Sequence, residues 1–350
     1  MGIQKINKGR AQRIEWIDAL KGFAILSVVL GHVLLGYGEN YAFETSINNT
    51  ILSVMDWIYA WHMPLFFAIS GYTFHLAYVI ENKKQVEIKG EKIKKQIINL
   101  FGIYLLFQIA LCVLKTVFST FVDNSMTFSD LIGNIIIPNT LMWYIWVLII
   151  YYVLFSFLIP MKISSNRFFL IITFFLAIAI LATDEKFGWG LALKNLVHNL
   201  FYFAIGTKEL IGYNRKIRVE ITSFLCILAS IIFLITKSMN YPVLSAALSE
   251  IIAITAILSI FYLFEERNVK NSILVRLGKK SLVIYLLHTY FVTAFKVLFI
   301  RGELCNTYSV LPIILVTWIV PVVITYGIAI MCNKYKWLGW IFHPVDLLKK

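Results

Sequence analysis

Lys21 and His32 bracket ten residues of the first apolar segment, Lys21-Gly-Phe-Ala-Ile-Leu-Ser-Val-Val-Leu-Gly-His32. Eleven steps at 3.6 residues per turn is close to three turns, so a helix here points both side chains the same way, about 16 Å apart along the axis. Asp18, three residues before Lys21, shares that face. Ionisable groups within an apolar span are costly to bury and mark sites or pathways. Imidazole titrates near neutral pH, so His32 has the chemistry of a general base. Lys21, near the start of the segment, has the chemistry of an anion anchor; its plain alternative is snorkelling to the interface.

Other polar residues in apolar segments are candidates of the same kind. Glu250 is an acid that could orient an imidazole or pair with a lysine. Ser70-Gly71-Tyr72 reads either as a site element or as a close helix contact. Trp143-Tyr144 could stack on a sugar ring or belong to an aromatic belt. His62, two residues before Pro64, reads as a cap or anchor at the outer end of the second helix. Lys194, Asn195, His198 and Asn199 form a stripe, with Lys194–His198 and Asn195–Asn199 at i, i+4. No histidine or cysteine spacing suggests a metal site. The four scattered cysteines, Cys112, Cys226, Cys305 and Cys332, read as packing residues.

The elements that must position these groups are membrane helices. The chain has 350 residues, 59% of them hydrophobic and only 15% charged, with a mean hydropathy of +0.78. A soluble domain does not reach that composition. Runs near 20 apolar residues predict about ten transmembrane helices: 16–36, 58–80, 97–118, 141–160, 168–183, 191–206, 221–236, 243–264, 281–300 and 308–331. The fold class expected is therefore all-α, a polytopic integral membrane protein forming a single domain over 1–350. It divides into an N-terminal segment 1–15, a bundle 16–331 and an interfacial tail 332–350. Segment 45–57 reads as a separate amphipathic helix on the outer surface. The first apolar run carries Asp18 and Lys21, so it reads as a retained helix rather than a cleaved signal.

Charge placement predicts the orientation. With the N-terminus inside, 26 of the 32 Lys and Arg residues fall on the cytoplasmic side. That split predicts cytoplasmic termini and an even helix count. It also explains the net charge of +13 without nucleic acid as a partner.

Four blocks carry a family resemblance. Ile14-Glu15-Trp16-Ile17-Asp18-Ala19-Leu20-Lys21 continues to His32 as a basic residue, ten residues and a histidine. The others are His62-Met63-Pro64-Leu65-Phe66-Phe67-Ala68-Ile69-Ser70-Gly71-Tyr72, Leu141-Met142-Trp143-Tyr144-Ile145, and Leu277-Gly278-Lys279-Lys280-Ser281-Leu282-Val283-Ile284-Tyr285-Leu286-Leu287-His288. In this order they resemble the acyltransferase-3 family of membrane O-acyltransferases, most closely its fucose 4-O-acetylase-like branch. The resemblance implies acetyl-CoA as donor, with no bound cofactor, and a sugar hydroxyl of a surface glycan or its lipid-linked precursor as acceptor. It assigns His32 the role of the essential histidine and Lys21 that of the basic residue, and it brings in His288. The arginine-rich stretch of many relatives corresponds here to Lys92-Ile93-Lys94-Lys95. Lys92, Lys94 and Lys95 would still attract phosphate, without the bidentate fork of arginine. The extracellular esterase-like domain of some relatives has no counterpart in this sequence.

Beside that reading, direct transfer and an acyl-enzyme relay both remain open, as does a short acyl group other than acetyl. A glycan-precursor transporter or flippase is the alternative function, with the intramembrane histidines, Glu250 and Lys296 as its path. A structural membrane partner is a third. In each case the expected location is the plasma or inner membrane, with lipids as partners.

Overall fold

The computed structural model describes residues 14–81, 86–117, 128–164, 166–207, 216–236, 241–267, 269–306, 309–335, 339–342 and 344. Among the described residues, seven helices are long and apolar enough to cross a membrane. These are α1 (Glu15–Glu39), α2 (Thr45–Tyr78), α3 (Gly90–Val117), α10 (Lys216–Thr236), α11 (Pro242–Glu266), α13 (Ser281–Arg301) and α14 (Val310–Lys334). Two 16-residue apolar helices, α5 (Trp143–Leu158) and α6 (Arg167–Ala182), add to them. The segment expected at 191–206 forms α8 (Leu191–His198) and α9 (Leu200–Thr207), interrupted at Asn199 where ψ is −1°. Short helices α4 (Phe128–Ile136), α7 (Asp184–Phe187) and α12 (Ile273–Gly278) complete the set. The protein is an all-α polytopic membrane protein. Its sole departure among the described residues is an antiparallel pair, β1 (Val79–Glu81) with β2 (Val86–Ile88), between α2 and α3.

Two expectations are corrected. Segment 45–57 is no separate surface helix: α2 runs unbroken from Thr45, because no glycine or proline intervenes before Pro64. His62 consequently lies deep in α2, 2% exposed, and does not cap its end. The lysine-rich N-terminus (1–13), Lys83, Lys84, Lys208, Arg215, Lys237, Lys336, Trp337, Lys349 and Lys350 lie outside the described residues. Of the expected interfacial tail, Phe342 packs on Phe107 of α3, ring centroids 5.8 Å apart.

Glycines set the closest helix approaches. A Cβ at Gly22 of α1 would strike the Leu274 carbonyl of α12, and one at Gly278 would strike the Asp18 carbonyl of α1. Gly71 of α2 and Gly206 of α9 make the same reciprocal contact through the Phe203 and Ala68 carbonyls. With lipid as solvent, packing of this kind substitutes for the hydrophobic drive between helices. The Gly22–Gly278 contact fixes α1 against the start of α13, so His32 and His288 meet ten residues further along each helix.

Candidate active site

His32 sits about 25 Å from the start of α1, well within the bundle. Its ring centroid lies 5.3 Å from that of His288 on α13. The Tyr59 hydroxyl of α2 is 3.3 Å from His32 Nδ1. Tyr59 in turn meets His62 edge-on, with centroids 4.7 Å apart. Three histidines from three helices thus form a chain of contacts, His288 to His32 to Tyr59 to His62.

The three imidazoles are held differently. His62 Nδ1–H donates to the Ile58 carbonyl at 2.8 Å. His288 Nδ1–H donates to the carbonyls of Ile284 (3.0 Å) and Tyr285 (2.7 Å). A carbonyl only accepts, so in both rings the Nδ1 proton is fixed and Nε2 of the neutral ring is a lone-pair acceptor. His32 has no such tie to its own backbone among the described hydrogen bonds. It is also half-buried, whereas His288 is 0% exposed. His32 is therefore the most accessible of the three imidazoles.

A chain of contacts extends from this cluster to the other motif blocks. Tyr285 lies 6.1 Å from His288 and 5.2 Å from Tyr144, centroid to centroid. The Tyr144 and Ser70 hydroxyls are hydrogen-bonded at 3.0 Å. Tyr285 donates its hydroxyl to the Leu141 carbonyl at the start of α5. Residues from all four blocks, His32, Ser70, Tyr144 and His288, thus belong to one connected unit. Sequence reading did not single out Tyr59 or Tyr285. Tyr59 stands three residues before His62, on one face of α2, and that spacing was the available signal.

The remaining candidates lie elsewhere. Trp143 packs on Phe67 at 6.1 Å and Tyr144 at 6.3 Å. Tyr72 packs between Trp16 and Phe261, at 5.6 and 5.8 Å. That places it toward the Lys21 end of α1. Asp18 is buried and its carbonyl forms the Gly278 contact. Lys21 is half-buried, and Ile25 and Val28, on the face between it and His32, are filled in at 0% and 1% exposure. Lys92 turns back onto the end of α2: its ammonium donates to the Ala77 carbonyl at 3.2 Å and sits 5.3 Å from the Tyr78 ring. That position suits a cation at a helix C-terminus. Lys94 and Lys95 are exposed.

Glu250 forms a second cluster. Its Oε1 lies 2.7 Å from His198 Nε2, and its Oε2 accepts from the Tyr202 hydroxyl. The imidazole it meets is thus that of His198. The expected Lys194–His198 pair does not form, because Lys194 binds Asp184 at 2.6 Å. The Asn195–Asn199 pair does form, at 3.3 Å between side chains. Among the described residues, no group of three histidine, cysteine or acidic side chains is placed to hold a metal ion.

A family model described as an acyltransferase domain matches residues 14–332. The chain belongs to the acyltransferase-3 family. It is also similar to the inner membrane protein YcfT of Escherichia coli K12, with 24% identity over 316 residues, 81% of each chain. No solved structure matches the chain. Membership makes the protein a membrane acyltransferase.

Proposed function

We propose that the protein is a membrane O-acetyltransferase. It takes an acetyl group from acetyl-CoA and transfers it to a hydroxyl of a cell-surface glycan or its lipid-linked precursor, in the plasma or inner membrane. The observation that carries this reading is His32: a half-buried imidazole inside an acyltransferase-family bundle, flanked by two histidines whose tautomers are fixed. In the proposed topology α1, α2, α3, α5, α6, the α8–α9 pair, α10, α11, α13 and α14 make ten crossings. Both termini are then cytoplasmic, in keeping with the 26 cytoplasmic basic residues.

The chemistry is direct transfer. His32 Nε2 takes the proton of the acceptor hydroxyl as the oxygen attacks the thioester carbonyl carbon. The tetrahedral intermediate collapses, the carbon–sulfur bond breaks, and the departing thiolate takes the proton back from His32. Lys21 is a cation toward the start of α1, with Lys94 and Lys95 exposed at the start of α3. Under the proposed orientation these face the cytosol and attract the phosphates of the donor. The pantetheine arm must pass Ile25 and Val28, so donor binding parts α1 from a neighbour along that face.

The test uses purified protein in nanodiscs, with labelled acetyl-CoA and membrane glycolipid or polysaccharide. Wild type transfers label without any ion gradient. His32→Ala loses about a thousandfold, in the range assigned to general-base catalysis. Glu250 with His198 and Tyr202, buried at membrane depth, is the feature that favours a flippase. Under that reading no acetylated product forms and activity depends on a gradient.

A further inference from the structure

His288 carries an unused lone pair at the site. Its Nδ1–H is committed to two carbonyls of its own helix, and its Nε2 is buried with no hydrogen-bond partner. A buried acceptor without a partner is a cost that folded proteins avoid unless the group is used. The ring has two aromatic neighbours. Tyr285, at 6.1 Å, spends its hydroxyl on the Leu141 carbonyl. His32, at 5.3 Å, has an N–H that is not committed to backbone. The torsion that turns a histidine ring is soft, so a small rotation converts this ring pair into an N–H···N hydrogen bond.

We infer that His288 is the positioning residue of His32: a neutral imidazole whose Nε2 receives His32 Nδ1–H and so keeps His32 Nε2 free for the acceptor proton. The inference rests on the transferase reading above and assigns a role within it. The relay runs from the carbonyls of Ile284 and Tyr285, through His288 Nδ1–H and Nε2, to His32 Nδ1–H and Nε2, and ends at the acceptor hydroxyl. Tyr59, at 3.3 Å from the same His32 nitrogen, shares that N–H as a second acceptor. The arrangement does the work of the carboxylate in a serine-hydrolase triad, which fixes the tautomer of its histidine. A neutral imidazole does so without placing an anion at membrane depth. When His32 holds the acceptor proton, its cation is stabilised by the His288 lone pair, and no proton passes to His288.

Two variants separate this role from packing. His288→Asn places an amide N–H where Nδ1–H was, keeping the tie to the helix, and leaves nothing at Nε2. His288→Gln reaches the Nε2 position with an amide oxygen. In nanodiscs, His288→Asn is expected to lose about a hundredfold in kcat with the KM for acetyl-CoA little changed, because the lost interaction belongs to the transition state. His288→Gln is expected to stay within about tenfold of wild type. Solid-state NMR on 15N-histidine-labelled wild type gives a readout free of both folding and turnover. His288 should show the Nδ1–H tautomer, with an N–H···N coupling to His32. A His288 protonated at Nε2 overturns the inference, as does His288→Asn at wild-type kcat, or His288→Gln as impaired as His288→Asn. Wild type without any acetyl transfer overturns the proposed function instead and leaves the coupling as a separate fact.

Discussion

His32 and His198 lie in two clusters with opposite chemical surroundings. His198 meets a carboxylate at 2.7 Å, and the other oxygen of that carboxylate is taken by Tyr202. Glu250 is 0% exposed, and both its oxygens are satisfied. This cluster joins α8, α9 and α11 and keeps the carboxylate fully buried. Around His32 no described acid bonds to the ring, the nearest hydroxyl is a long 3.3 Å away, and the neighbouring His288 keeps a bare lone pair. Polar groups buried to hold helices together complete their hydrogen bonds among themselves. Beside His32 one hydrogen-bonding valence stays open, the Nε2 of His288.

Substitutions can break that contrast. The largest effect belongs to His32→Ala, with turnover down about a thousandfold and the unfolding temperature unchanged. Loss of fold together with turnover would make His32 a packing residue like His198. Next comes Glu250→Ala, which strands the His198 and Tyr202 donors and costs about 1–3 kcal/mol of stability. Differential scanning fluorimetry should register the loss, while kcat per folded molecule stays at the wild-type value. A fall in kcat at full stability would move Glu250 into the reaction. A smaller effect is expected for Lys21→Ala, where the KM for acetyl-CoA rises about tenfold with kcat retained, as befits a phosphate contact. Titration of initial rates against donor concentration separates the two constants; a kcat effect alone would remove Lys21 from donor binding. The smallest is Tyr59→Phe, which removes one of the two acceptors at His32 Nδ1 and should slow turnover about threefold. Steady-state rates check it, and a loss as deep as that of His32→Ala would make Tyr59 the principal partner.

Much of the fold was legible because lipid imposes one strong rule, a helix of about 20 apolar residues. The rule failed where length and hydropathy part company. Thr45–Trp57 is polar enough to read as a surface segment, yet it is the first part of α2. The break between α8 and α9 at Asn199 lies within an apolar stretch whose composition does not announce it. The site was legible in its parts rather than in its assembly. Helical spacing put Lys21 and His32 on one face, and the motif blocks supplied Ser70, Tyr144 and His288. That these blocks meet follows from the reciprocal glycine contacts, which no single segment encodes. Glu250 was recognisable as an intramembrane acid, but its partner on α8 is 52 residues away, and pairing at that range is a tertiary fact. The tautomers of His62 and His288 were invisible for the opposite reason: each depends on a carbonyl one turn back, and sequence spacing cannot say which way a ring turns.

Mass spectrometry of surface polysaccharide from a deletion strain, complemented with wild type, His32→Ala or Glu250→Gln, tests the central claim most directly. The account predicts that deletion removes one acyl group per repeat, that wild type and Glu250→Gln restore it, and that His32→Ala does not. Restoration by His32→Ala, expressed at the wild-type level, would contradict it.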